Sequence, residues 1–340
     1  MNLTYKEYRL QLKHTFSIAR GSSDYRDTII VQLEHDGIKG SGEAAPLERY
    51  GETASTVIEF LNQVRLPRVI DPIKIAAILD EVDVIAPDNY SAKAAMDIAL
   101  HDWGGKRMGV PLWKMWGLNK NNTPLTSFTI GIDSPDMIEK KIQEADEFPI
   151  LKVKVGVPGD TEIIKTIRKI TDKTLRADAN EGWKNKEDAL DKILWLEEQN
   201  IELIEQPMPS DRLDDIEWIK ERVHIPIIAD ESVKRLNDLP RLRGVFDGIN
   251  IKLMKCGGIR EAMKMINTAR EMGLKIMLGC MIESSVGIAA AANLSPLVDY
   301  ADLDGNILIS NDPFEGISQS KGKLLLNDEA GLGVESIIPR

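Results

Sequence analysis

Leu151-Lys-Val-Lys-Val155, Leu175-Arg-Ala-Asp178, Ile201-Glu-Leu-Ile-Glu205 and Pro226-Ile-Ile-Ala-Asp230 are short apolar runs, each carrying charge at or near its end. Helix-period stretches lie between them, Lys186–Glu198 and Leu213–Arg222 among them. Working outward, Leu125–Ile130 precedes these runs, and Ile249–Leu253, Lys275–Gly279 and Val298–Leu303 follow, with a further helical stretch, Ile259–Met272, after Cys256-Gly-Gly258. Strand and helix alternating at a near-constant interval signal parallel βα units. Eight strands within roughly 185 residues fit a (β/α)8 barrel better than an open sheet.

The N-terminal part has a different grammar. Tyr8, Leu10 and Leu12 alternate, and Thr28–Leu33 followed by Asp36-Gly37 reads as a strand entering a hairpin. Ala19–Asp24 and Pro46–Glu52 have loop composition. From about residue 52 to 115 the period is helical, most clearly in Ser91–Trp103. Strands followed by helices predict a separate α+β unit.

Composition narrows the function. A net charge of −11 over 340 residues argues against a nucleic-acid partner, which calls for a basic face. Cys256 and Cys280 are the only cysteines, which excludes a disulfide framework. His14, His35, His101 and His224 stand too far apart for a histidine-built zinc site. No signal-peptide pattern and no apolar run of the ~18 residues that a spanning helix needs is visible. The expectation is a cytoplasmic protein with neither nucleic acid nor membrane as partner; homo-oligomerisation is left open.

Barrel chemistry sits at the C-terminal ends of the strands. Those ends carry Lys152 and Lys154, Asp178, Glu205, Asp230, Lys252, and Asp302 with Asp304; from Lys154 to Lys252 the intervals are 24, 27, 25 and 22 residues, one βα unit each. Asp178, Glu205 and Asp230 end three consecutive strands, so their oxygens converge at one mouth. Three uncompensated carboxylates repel, and a hard divalent cation resolves the cost, with Mg2+ favoured by an all-oxygen set. The competing reading is that each acid caps the helix that follows. Alternation puts Lys152 and Lys154 on the inner face of their strand, and parity selects Lys252 over Lys255, which is expected in a loop. Like charge and a nearby cation are expected to lower Lys152 and Lys154 toward the range of a general base. A metal between opposed lysines suits taking a proton from one face of a carbon beside a carboxylate and returning it to the other.

Lys152-Val-Lys154, Asp178-Ala-Asn180, Glu205-Gln-Pro207, Asp230-Glu-Ser232 and Asn250-Ile-Lys252 together resemble the enolase superfamily and, within it, the muconate-lactonising subgroup. The resemblance implies a modified (β/α)8 barrel, of (β/α)7β type, over residues 119–305. It adds an α+β capping domain over 1–118, completed by a C-terminal segment over 306–340, with substrate-covering loops near 17–27 and 46–53. It also implies Lys154 and Lys252 as the acid/base pair, one Mg2+ per subunit on Asp178, Glu205 and Asp230, and Lys152 supporting Lys154 and the substrate carboxylate. Thr129, Cys280 and Ile282 fall where the family contacts substrate, Cys280 as a packing residue rather than a nucleophile.

Asp302-Leu-Asp304 resembles the D-x-D with which dipeptide epimerases hold a free α-ammonium, and two carboxylates on one face have reason to bind a cation. The alternative is that both are turn residues before Gly305. Ile18–Ser22 and Arg49–Glu52 resemble the cap loops of L-Ala-D/L-Glu epimerases, and Arg20, Arg26 and Arg49 are cations available to an acidic side chain. Ser23 departs from the basic residue carried by some glutamate-specific relatives. The activity implied is epimerisation of an L-Ala-Xaa dipeptide, with L-Ala-D/L-Glu first. N-acylamino-acid racemase, o-succinylbenzoate synthase and cycloisomerase activities are the rivals, and a non-catalytic ligand-binding barrel is the different-class alternative.

Overall fold

A computed structural model describes residues 1–67 and 71–337; the last three residues of the expected C-terminal segment lie outside this range. The chain opens with an antiparallel sheet of β1 (Asn2–Ile18), β2 (Gly21–His35) and β3 (Ile38–Ala44). Asp36 and Gly37 take φ of 51° and 74°, the two positive values that a tight hairpin between twisted strands requires. One face of the sheet buries Ile29, Val31 and Leu33 against the helices Ala54–Leu61, Ile75–Asp83 and Tyr90–Met108. Gly40 and Gly42 let the long helix approach closely, because a Cβ at either would strike the carbonyl oxygen of Ala99 or Ala95.

The expected loop over 17–27 is mostly strand. Phe16, Ser17 and Ile18 pair with Ser23, Ser22 and Gly21, so the hairpin ladder runs on through its serine-rich tip and only Ala19 and Arg20 turn. Polar composition suggested a loop because both faces of this extension lack a core to cover.

Eight parallel strands follow, each hydrogen-bonded to the next: β4 (Phe128–Ile130), β5 (Ile150–Lys154), β6 (Thr174–Asp178), β7 (Ile201–Glu205), β8 (Ile227–Ala229), β9 (Gly248–Lys252), β10 (Lys275–Gly279) and β11 (Tyr300–Asp302). A parallel bridge from Thr126 to Ala301 closes the ring. Leu203, Ile228 and Met277 fill the lower barrel, which leaves the upper end for polar groups. Among the described residues no helix follows β11, and the chain returns to the first strand, Leu12 bridging Ile309.

Carboxylates join the two parts. Glu43, fully buried at the end of β3, accepts from Ser284 N–H and Oγ–H at 3.0 and 2.6 Å, from Gly287 N–H at 3.1 Å and from Thr28 Oγ–H at 2.9 Å. It thereby takes two of the backbone donors at the start of the barrel helix Ser285–Leu294, Asp312 and the Ser284 hydroxyl taking those of Ser285 and Val286. Asp97 of the long cap helix does the same for Ile259–Glu271, accepting from Ile259 N–H at 2.9 Å and Arg260 N–H at 3.1 Å.

Candidate active site

Strand register assembles the predicted charges. Lys154 pairs with Asp178 and Asp178 with Glu205, while Lys252 and Asp302 both pair with Gly279. Thr129 pairs with Lys152. Residues level with one another across a barrel share its inner or outer face, so these side chains meet inside the upper end. One oxygen from each of Asp178, Glu205 and Asp230 lies within 4.8 Å of the others, and all three residues are buried. They do not cap the helices that follow: Asp178 Oδ1 accepts from the nearby Asn180 N–H at 2.9 Å, and the next helix takes its cap from Asn185.

Ammonium groups surround this cluster. Lys152 Nζ lies 3.0 Å from Asp178, 2.8 Å from Glu205 and 2.6 Å from Asp302. Lys154 donates to Asp178 at 2.6 Å and Lys252 to Asp230 at 2.8 Å. Lys255, expected in a loop, sits on the helical turn Leu253–Cys256 and donates to the Asp230 carbonyl at 2.6 Å and also to its carboxylate. Its spacing of three from Lys252 is the signal that one helical turn would bring both to the same acid. Asn250, two residues before Lys252 and so on the same strand face, donates to Glu205 at 3.0 Å.

The electrostatics follow from burial opposed by pairing. Burial pushes Asp178 and Asp230 up, but Lys152 with Lys154, and Lys252 with Lys255, outweigh it and hold both below the usual carboxylate range. Glu205 is pushed up to about 7 by burial and the Asp178 charge. Burial lowers Lys152 and Lys252, yet the surrounding carboxylates raise both above the ordinary lysine value. Both are raised because acids are their nearest neighbours, whereas the lowering expected for Lys152 presupposes a cation beside it. A buried, oxygen-only trio whose middle member resists ionisation fits a hard divalent cation such as Mg2+.

Asp302 and Asp304 face the cavity rather than serving only the turn. Asp302 accepts from Ser127 Oγ–H at 2.6 Å and from Lys152 at 2.6 Å. Asp304 accepts the Thr129 N–H at 2.6 Å and is pushed up to about 6 by burial and the Asp302 charge. Lys152, expected at the substrate carboxylate, is engaged by Asp302 and two of the metal-cluster acids. Cys280 sits on the wall with its thiol pushed up by burial, which suits packing rather than attack. Ile282 lines the same wall in an apolar group with Leu10, Leu12 and Ile309.

The cavity over these groups has a volume of about 720 Å³ and is roofed by the hairpin tip and by residues 46–55. Arg20 and Arg26 both line it, but differently. Arg20 donates to the Asn180 carbonyl at 2.7 Å and pairs with Glu231 at 2.8 Å, and Arg49 pairs with Glu181. The sequence reading missed Glu181 and Glu231, which follow the motif acids and fasten the cap to the barrel. Arg26 donates to the Tyr25 carbonyl at 3.4 Å, and among the described residues no carboxylate pairs with it.

A barrel mouth that opposes buried lysines across an acidic trio defines an acid–base enzyme of the metal-dependent (β/α) class. The chain belongs to the mandelate racemase/muconate lactonizing enzyme family, matching its N-terminal domain over residues 2–117 and the enolase C-terminal domain-like model over residues 137–337. It is 50% identical to the L-Ala-D/L-Glu epimerase of Bacteroides thetaiotaomicron, over 99% of this chain and 88% of that protein. Among solved structures, the dipeptide epimerase of Enterococcus faecalis complexed with Mg and L-Leu-L-Tyr superposes with a TM-score of 0.90 at 35% identity, covering 98% of both chains. The substrate-liganded L-Ala-D/L-Glu epimerase of Bacillus subtilis gives 0.92 at 30% identity, over 99% of this chain and 98% of that one. No helix among the described residues is long and apolar enough to cross a membrane.

Proposed function

We propose that this chain is a Mg2+-dependent dipeptide epimerase, inverting the α-carbon of the second residue of L-Ala-Xaa dipeptides, with L-Ala-D/L-Glu the leading pair. The observation that carries the reading is the placement of Lys154 and Lys252. Their strands, β5 and β9, lie four steps apart in an eight-strand ring and so face each other across the acid trio. Lys154 takes the α-proton at one face of the carbon while Lys252 Nζ delivers a proton to the other, and the roles reverse for the opposite epimer. Asp178, Glu205 and Asp230 would hold Mg2+, which when bound would supply positive charge to stabilise the negative charge developing on the substrate carboxylate.

Asp304, aided by Asp302, receives the α-ammonium, and Lys152 is held by Asp302 beside Lys154 and the substrate carboxylate. Thr129, Cys280 and Ile282 shape the walls. Arg26, lacking an acidic partner, is the cation available to an acidic second side chain. Arg20, being engaged by Glu231, serves closure of the cap more than charge recognition. In this reading residues 1–118 form the cap, 119–305 the catalytic barrel and 306–340 the returning segment of a cytoplasmic enzyme. The test offers L-Ala-L-Xaa dipeptides to Mg2+-loaded protein in D2O. One deuterium at the second α-carbon, accompanied by inversion, is expected. Exchange confined to N-acyl amino acids would transfer the chain to the racemase reading.

A further inference from the structure

Arg20 and Arg49 come from the two segments that roof the cavity, and both reach the barrel at residues that closely follow the acid trio. Arg20 Nη1 donates to the Asn180 carbonyl at 2.7 Å, pairs with Glu231 at 2.8 Å and lies 3.5 Å from Glu181. Arg49 pairs with the same Glu181 carboxylate. The side chains of Glu181 and Glu231 are 8% and 1% exposed, those of Arg20 and Arg49 35% and 36%. The anions are thus fixed in the barrel, and the cations are the members free to leave.

Short bonds tie the gripped residues to the trio. Asn180 N–H donates to Asp178 Oδ1 at 2.9 Å, and its side-chain amide donates to Asp178 Oδ2 at 3.3 Å and to Glu231 Oε1 at 3.4 Å. Glu181 N–H donates to the Gln206 carbonyl at 2.9 Å, and the Gln206 side-chain oxygen accepts the Asp230 N–H at 3.0 Å. Asn180, Glu181 and Gln206 have φ of 43°, 65° and 36°. Left-handed backbone is costly for glutamate and glutamine and persists only where surrounding contacts hold it. Pairs from the cap are among the contacts that hold it here.

We propose that Arg20 and Arg49 are positioning residues for the metal site: by clamping Asn180, Glu181 and Glu231 they fix the segments that aim Asp178 and Asp230, so that closure of the cap and binding of Mg2+ strengthen each other. The proposal rests on the ligand role given above to Asp178, Glu205 and Asp230, and not on the choice of dipeptide. Without the arginines, Glu181 and Glu231 are buried carboxylates lacking a counter-charge, which favours their turning toward water. The left-handed segment then relaxes with them, and the ligand oxygens lose their convergence. Linkage makes the effect reciprocal, so Mg2+ in turn tightens the cap. The sign separates this clamp from plain electrostatics. Guanidinium groups near the site repel a divalent cation, and on charge alone their removal would tighten Mg2+ binding; the clamp requires that their removal loosen it.

Calorimetric titration of the full chain with MgCl2, in the absence of substrate, tests the proposal. Arg20→Met and Arg49→Met are each expected to raise the Mg2+ Kd by at least about fivefold, and Arg20→Lys, which keeps the charge on Glu231, to recover part of the loss. A second measurement needs no variant: saturating Mg2+ should slow hydrogen exchange of the hairpin-tip amides, residues 17–23, by at least about fivefold in the wild-type chain. A Kd unchanged or lowered in either methionine variant overturns the proposal, and so does tip exchange that ignores Mg2+. Failure of the wild-type chain to bind Mg2+ at all strikes the ligand assignment itself, and the clamp falls with it.

Discussion

Asp304 is a group whose loss should stabilise the protein while removing its function. The perturbation is Asp304→Asn, studied without metal. The carboxyl moves from its ordinary 3.8 to about 6 through burial and the neighbouring Asp302 charge. A folded-state value raised in this way means that the folded chain holds the proton more tightly than the unfolded one. Stability therefore falls as pH rises from about 4 to about 6, and the full penalty, ~3 kcal/mol, stands above that window. Asparagine keeps an oxygen for the Thr129 N–H, now 2.6 Å from Asp304 Oδ2, and has no charge to desolvate. Urea denaturation in EDTA should find the variant more stable by up to ~3 kcal/mol at about pH 8 and by only ~1 kcal/mol at about pH 4.5. Its exchange on free dipeptides should be largely lost, because the ammonium meets a neutral amide. A variant less stable than wild type at pH 8, or a gain of equal size at both pH values, would refute the electrostatic account.

Lys154→Ala and Lys252→Ala should each cut epimerisation by ~10² or more, yet each should retain deuterium exchange from one epimer only, the two variants keeping opposite ones; NMR of the products decides, and exchange from both epimers in either variant would exclude a one-lysine-per-face division. EDTA should abolish turnover, and Mg2+ restored to about a hundred times its Kd should stabilise the fold by ~2.7 kcal/mol. Thermal unfolding that ignores Mg2+ would remove Asp178, Glu205 and Asp230 from the ligand role. Glu43→Ala leaves the Ser284 and Gly287 N–H groups without their acceptor, at a cost of ~2–6 kcal/mol for two orphaned buried donors. A loss under ~1 kcal/mol in urea would mean that the interface relaxes to satisfy them.

The barrel was legible because charge gathers where its buried strands end: Asp178, Glu205 and Lys252 are the last residues of β6, β7 and β9. Spacing in the sequence then became adjacency around the rim, since parallel strands advance in register. Lys255 escaped because parity describes a strand, and the chain turns helical immediately after Lys252. Arg20 was legible as a cap cation but not as the partner of Glu231, since that pairing joins distant segments with no periodic relation. The hairpin tip looked like a loop because its serines cover no core, although backbone pairing alone carries it.

Glu43 and Asp97 also bear on how such a protein can change over generations. Both belong to the cap and each completes the start of a barrel helix, so the barrel does not carry a complete set of acceptors for its own backbone. A recombination event that exchanged one cap for another would have to import acids at the same two places or strand the donors they serve. New substrate preferences are thus more accessible through single substitutions at the hairpin tip and along residues 46–55 than through wholesale exchange of the part that bears them.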